Sequence, residues 1–323
     1  MFSAKDLGHP FAQDGQGEYS GGEYIRSLDA FTDWVREDGS SGFPAAAGRY
    51  HLYVSYACPW AHRTIIARRL KGLESVVGMS VVDPLRDEEH GWAFCEGRDH
   101  GGDPVEGFRF LREAYLLSDP GYRARVTVPV LWDAESRKIV SNNDDHIMRM
   151  LNREFDAFTD GDIDLCPAEL EAEIDDINEL VYHTVNDGVY RSGFADTQTA
   201  YEKHVRRLFQ TLDQLEQRLS AQRYLVGERI TEADWRLFVT LVRFDAVYHG
   251  HFKCNLRRIV DCPHLLGYLR ELYQVPGIAD TVNFDHIKRH YYMTHDGINP
   301  TGIVPLGPDQ DLLAPHGRDR LFA

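Results

Sequence analysis

The stretch "YVSYACPWAHR", residues 53–63, constrains this chain more than any other. Leu52, Val54 and Tyr56 alternate as in a half-buried strand. Cys58 and Pro59 follow, and from Pro59 to about Leu73 the spacing turns helical, with Ile66, Leu70 and Leu73 on one face. Proline suits a first helical turn, where its missing N–H costs nothing. Cys58 therefore stands where a strand hands over to a helix. Unpaired N–H groups and the helix dipole favour an anion there, and a thiol is nucleophilic only as its thiolate. The bland reading, a buried inert cysteine at an element end, loses weight in this strand–Cys–Pro–helix context.

Ala61 occupies the position of the second cysteine of a CxxC redox motif. A one-cysteine site forms no internal disulfide, so a mixed disulfide at Cys58 must be resolved by an external thiol. The remaining cysteines, Cys95, Cys166, Cys254 and Cys262, bring the total to five. An odd count in a long chain with no visible export signal argues against a disulfide framework. Cys254 and Cys262 lie near His249, His251 and His264, but at no common zinc-module spacing, so no metal site is assigned.

Around this motif the chain organises into blocks. Residues 1–47, rich in Gly, Ser and Asp, read as an arm with one short helix at 29–36. "GRYHLYVSYA", "ESVVGMSVVDP", "RVTVPVLWD" and "SRKIVSN" read as four strands, and a helix from Asp144 or Asp145 to about Asn152 closes the series. Strand, helix, strand, hairpin and closing helix form the thioredoxin-like arrangement, here over 48–154 with a long insertion at 83–124. In that arrangement Val128–Pro129 of "TVPV" is expected as a cis peptide facing the reactive cysteine, its exposed backbone pairing with an extended ligand. A linker, 155–167, leads to a helical domain, 168–283. Its apolar stripes run through Leu170, Ile174, Ile177, Val181 and Val185, and through Val205, Leu208, Leu212, Leu215 and Leu219. Thr231 and Asp234 predict a capping box, with Ile230 and Trp235 as its hydrophobic staple. The tail is 284–323.

The net charge of −16 disfavours nucleic acid as a partner. No run of ~18 apolar residues is present, and the N-terminus lacks signal-peptide regions. A cytoplasmic location without membrane partners is expected.

Several longer motifs identify a family. "YACPWAHR", "GWAF", "DPVEGFRFLREAYLLSDPGYRARVTVPVLWD", "IVSN", "VNDGVYRSGFA", "VGERITEADWRLF" and "IKRHYYMTHDGINPTGIVPLGP" resemble the glutathionyl-hydroquinone reductases, the Xi class of the glutathione transferase superfamily. The resemblance covers nearly the whole chain. It implies a thioredoxin-like N-terminal domain, a helical glutathione-transferase C-terminal domain with the tail over the active site, and a homodimer. It also implies reduction of thiol–hydroquinone conjugates, with Cys58 attacking the conjugate sulfur and a second thiol resolving the mixed disulfide. Glutathione or another low-molecular-weight thiol is the cosubstrate, and no cofactor is permanently bound. Carried over by position, Trp92, Arg125, Val128, Asn143 and Asp144 hold the thiol, while Tyr190 and Tyr291 face the aromatic ring. Pro59, Trp60, Tyr292 and His290 complete the pocket, with His295 nearby; Asn299 and Pro300 shape the tail.

At one place the chain departs from the family. Asn143-Asp144 replaces the Glu-Ser that grips the γ-glutamyl amino and carboxylate groups. Asp144 is expected to repel the ligand carboxylate unless a pKa shift or an intervening cation relieves it, and Asn143 lacks the charge that pairs with the amine, so weak glutathione binding is expected. A thiol without a γ-glutamyl group, such as mycothiol, escapes that conflict; in the bland alternative Asp144 is only a helix cap. A conjugating transferase and a non-enzymatic thiol-binding protein remain as further readings. A cysteine rather than a Ser or Tyr hydroxyl favours exchange over conjugation.

Overall fold

The computed structural model describes residues 18–322 except 21, 27, 87, 88, 160 and 162, so the arm before Glu18 lies outside the described residues. The chain divides into two compact units. The first comprises Arg26–Ile163 with Asp285–His295; the second comprises Glu18–Ile25, Asp164–Phe284 and the chain from Asp296 onward.

Two short strands, β1 (Glu18–Ser20) and β2 (Glu23–Ile25), pair antiparallel in the second unit. In the first unit, β3 (Tyr50–Val54) is buried along its whole length. Helix α1 (Pro59–Leu70) follows, then β4 (Gly78–Val81), parallel to β3. Helix α2 (Arg112–Ser118) lies within the long insertion. β5 (Val130–Asp133) and β6 (Lys138–Ser141) form the hairpin, and α3 (Asp144–Arg153) closes the unit. The sheet order is β4-β3-β5-β6, with β5 antiparallel to both neighbours. This is the mixed four-stranded thioredoxin-like sheet that the sequence predicts. The Val128–Pro129 peptide is cis, as expected.

The helix expected at 29–36 is absent; the segment is extended. Its backbone groups find partners elsewhere: Phe31 N–H donates to Asn142 Oδ1 (2.9 Å), and Asn142 N–H donates back to Phe31 O (3.0 Å). Thr32 bridges to Ser141, and Arg36 bridges to Pro44. Pairing with the β6 edge thus satisfies groups that a single helical turn leaves largely orphaned.

The second unit is helical: α4 (Glu171–Val181), α5 (Gly188–Gly193), α6 (Gln198–Ala221), α7 (Glu232–Arg243) and α8 (Pro263–Tyr273). A last helix, α9 (Phe284–Thr294), belongs almost wholly to the first unit. The stripe from Val205 to Leu219 on α6 is buried, as its spacing predicts. At α7, Asp234 accepts from Thr231 N–H (2.8 Å), from Leu225 N–H (2.9 Å) and from the Tyr268 hydroxyl (2.7 Å). The expected capping box is therefore also a buried junction tying α7 to α8. Single π-turns, Tyr182–Asn186 and Phe244–Tyr248, break α4 from α5 and end α7. No helix among the described residues is long and apolar enough to cross a membrane.

One buried group on β3 makes stability depend on pH. His51 is 7% exposed, and its Nε2 pairs with Ser80 Oγ (2.8 Å). A side chain at Gly78 would collide with its ring, which is why glycine stands at that register position. Burial lowers the imidazole from its ordinary 6.5 to about 4. The unfolded chain therefore binds a proton that the folded one refuses between pH 6.5 and 4. The stability is complete above pH 6.5 and falls as pH drops through this window. The expected loss is up to about 3 kcal/mol. Urea unfolding between pH 7 and 4 should show this slope in the native chain and a flatter one in His51→Gln; equal slopes would remove His51 as the cause.

Candidate active site

Cys58 occupies the N-cap of α1, with extended backbone (φ −76°, ψ 121°), and Pro59 takes the first helical position. The cap is held by two backbone bonds: Cys58 N–H donates to Ser55 O (3.2 Å), and Cys58 O accepts from His62 N–H (3.0 Å). The first turn of α1 carries no acidic residue, so its positive end is not offset locally. Cys58 is partly exposed, while Pro59 is buried. Cys58 Sγ lies 3.5 Å from Val128 O, directly before the cis-proline. The thiol and the expected strand-pairing backbone are thus brought together.

The segment before the cis-proline is braced from behind. The Tyr115 hydroxyl donates to Thr127 O (2.9 Å), and Asn142 Nδ2 donates to Thr127 Oγ1 (3.1 Å). Arg125 is half-buried, and its carbonyl accepts from the Tyr122 hydroxyl (2.5 Å).

Trp92 is 3% exposed and lies between two partners. The His290 ring stacks on it at 5.1 Å and 22°, and the Arg86 guanidinium lies 5.0 Å from its centroid. His290 Nδ1 donates to Pro84 O (2.7 Å), which fixes that ring nitrogen as the protonated one. Tyr291 is buried, with the His290 and His295 rings edge-on at 5.4 and 5.5 Å. Tyr292 is half-buried. Helix α9 thus delivers His290 to the tryptophan of "GWAF".

Tyr190 lies in the second unit, on α5 directly after the π-turn at Tyr182–Asn186. Its ring packs among Phe252 (5.4 Å), Tyr248 (6.0 Å) and Phe194 (6.1 Å). Such one-turn π segments are frequent at functional sites.

The Asn143-Asp144 pair has its own partners within the first unit. Asn143 caps α3, accepting from His146 N–H at 2.8 Å, and donates through Nδ2 to Asp29 Oδ2 at 2.8 Å. Asp144 Oδ2 accepts from Arg63 Nη1 at 2.7 Å, and Asp145 Oδ1 from the same atom at 3.1 Å. Arg63 is wholly buried. Asp144 therefore has a buried cation beside it, shared with Asp145. The Arg63 guanidinium also lies 4.7 Å from the Trp60 centroid, as does that of Arg26. Sequence reasoning gave Arg63, Arg26, Arg86 and Asp29 no role. Only Arg63 left a trace, three residues after Trp60 on the same helical face.

A one-cysteine thiol site at a helix start, opposite a cis-proline on a thioredoxin-like sheet, defines a thiol-exchange protein of the glutathione transferase kind. Comparison agrees. The glutathione S-transferase N-terminal domain model matches residues 57–154, and the C-terminal domain model matches 198–271. The glutathionyl-hydroquinone reductase YqjG of Escherichia coli is 52% identical over 94% of each chain. PcpF of Sphingobium chlorophenolicum, of the same description, is 50% identical over 91% of this chain and 92% of its own. The glutathione-bound structure of YqjG superposes with a TM-score of 0.88, covering 90% of this chain and 96% of that one. A Xi-class structure from Natrialba magadii, 50% identical, gives 0.88 over 90% and 89%. The chain belongs to the Xi class of glutathione transferases, the family of the glutathionyl-hydroquinone reductases.

The Arg63 pairing makes a prediction opposite to simple repulsion. Asp144→Ser leaves the buried guanidinium with Asp145 as its remaining carboxylate partner at Nη1. It should cost about 1–3 kcal/mol of stability without tightening the thiol. Calorimetry of glutathione binding beside chemical denaturation tests this; tighter binding at unchanged stability would show Asp144 to be the repelling group.

Proposed function

We propose that this protein is a glutathione-dependent reductase of S-glutathionyl-hydroquinone conjugates, working as a cytoplasmic homodimer. The observation that carries the reading is Cys58 at the α1 N-cap, 3.5 Å from the carbonyl before the cis-proline, with Ala61 where a resolving cysteine would stand.

In this reading the Cys58 thiolate attacks the conjugate sulfur. The bond between sulfur and aromatic carbon breaks, its electron pair stays with the carbon, and a proton from the medium completes the hydroquinone. Cys58 is left disulfide-bonded to glutathione. A second glutathione thiolate attacks the glutathione sulfur, releasing glutathione disulfide and regenerating Cys58. The two electrons that reduce the conjugate come from the two thiols, so no further reductant is needed.

Trp92, Arg125, Val128, Asn143 and Asp144 serve the thiol, with Val128 offering its backbone as a strand partner. Tyr190 and Tyr291 serve the quinol, donating to its oxygens as charge builds there. Pro59, Trp60, His290 and Tyr292 shape the pocket. Glutathione as the thiol is supported by the relative crystallised with it at 52% identity, and Arg63 beside Asp144 supports it by weakening the electrostatic objection there. The conjugating alternative gains nothing from the site, where the candidate nucleophile is a thiol.

Cys58→Ala is expected to abolish cleavage of glutathionyl-hydroquinones. In the native enzyme, mass spectrometry after addition of conjugate should find one glutathione attached at Cys58. Cleavage at the native rate by the alanine variant would end the mechanism.

Tyr190→Phe and Tyr291→Phe are each expected to lower kcat for cleavage by about 10²–10³-fold, with little change in glutathione affinity. A loss confined to glutathione affinity would move that tyrosine from the quinol to the thiol.

A further inference from the structure

The long insertion holds a grouping that the reductase chemistry does not use. Asp83, Cys95 and His100 place a carboxylate oxygen, a thiol sulfur and an imidazole nitrogen within 4.8 Å of one another. They come from neighbouring chain segments drawn together by backbone bonds: Asp83 N–H donates to Ala93 O (2.9 Å), and Gly97 N–H donates to His100 O (3.3 Å). Asp83 and His100 are half-buried and Cys95 is exposed.

The supporting bonds leave each member a lone pair to offer. Asp83 Oδ1 accepts from Leu85 N–H (2.8 Å), while Oδ2 stands 3.4 Å from Cys95 Sγ. His100 Nδ1 lies 2.9 Å from Cys95 O. A carbonyl only accepts, so Nδ1 carries the proton and Nε2 keeps its lone pair. This is how metal-ligating histidines are usually oriented. The His286 ring, edge-on at 5.5 Å, limits rotation of His100. In a tetrahedral zinc site, with Zn–S of ~2.3 Å and Zn–O of ~2.0 Å, sulfur and oxygen stand about 3.5 Å apart. The Cys95–Asp83 pair already has that spacing.

We propose that Asp83, Cys95 and His100 form a three-ligand site for a zinc-like divalent cation, with a fourth position open to solvent. One soft, one borderline and one hard donor suit zinc, and exclude magnesium and calcium as the preferred ions. Binding replaces the thiol proton, which passes to solvent; thiolate and carboxylate then balance the dication. The ligands flank "GWAF", so the ion acts as a clip on the segment that carries Trp92. Sequence spacing conceals the site, because 12 and 5 positions separate successive ligands.

The test uses the full chain, stripped with a chelator and titrated with Co2+ alone and Zn2+ alone. One equivalent of cobalt is expected to give a thiolate-to-metal charge-transfer band in the native chain and in Cys58→Ser, but not in Cys95→Ser. His100→Gln is expected to weaken cobalt by more than the about 10–100-fold that a supporting residue costs. Zinc should raise the thermal midpoint of the native chain by mass action, and leave that of Cys95→Ser unmoved. Because Cys95 is exposed, its serine variant is expected to fold. A band that survives in Cys95→Ser, or that vanishes only in Cys58→Ser, overturns the proposal. So does the absence of both band and midpoint shift in the native chain.

Discussion

The buried guanidinium of Arg63 joins the two helix starts on which the thiol site is built. It grows from α1, five residues after Cys58, and ends on Asp144 and Asp145 at the start of α3. A wholly buried cation must be paired, and leaving it unpaired costs several kcal/mol. The two helix N-termini are therefore tied together by a buried charge. The first turn of α1 itself carries no acid; the acids sit on the other helix. Trp60 lies against the same guanidinium, so the indole and the two carboxylates share one support.

That pairing also accounts for the acids at the start of α3. A helix N-terminus welcomes carboxylates, but a ligand carboxylate must compete with any already present. Here both acids are engaged by Arg63, and Asn143 takes the capping duty with its side-chain oxygen. The amide of Asn143 then reaches Asp29, which the extended arm brings to the helix start. The arm is extended for the same reason: residues 31 and 32 pair with the β6–α3 junction, about 110 positions away.

Local signals were legible in the sequence, and distant ones were not. Strand, Cys, Pro and helix are neighbours in the chain, so the α1 cap follows from hydrogen-bonding rules alone. The Thr231–Asp234 box spans three residues and is found as read. The cis-proline opposite Cys58 depended on recognising the order of elements, a longer-range inference that nonetheless holds. The arm helix failed because propensity over eight residues is weak beside a sheet edge with unpaired groups. Arg63 went unassigned because an arginine in a helix is ordinarily solvated, and only the fold shows that its carboxylates lie 81 and 82 positions on.

The long insertion and the last helix are explained together. The insertion carries Trp92, and a large indole held only by its own loop would wander. α9 supplies what the loop lacks: His290 stacks on the indole and anchors its own ring on Pro84 O, while Arg86 takes a position over the indole. Both partners flank the loop in sequence or come from the far end of the chain. His286, one turn earlier on α9, donates to Arg98 O and meets His100 edge-on. The same helix thus grips the insertion at two points, on either side of "GWAF". An insertion long enough to be a liability becomes a rigid wall because the chain's last helix is committed to holding it.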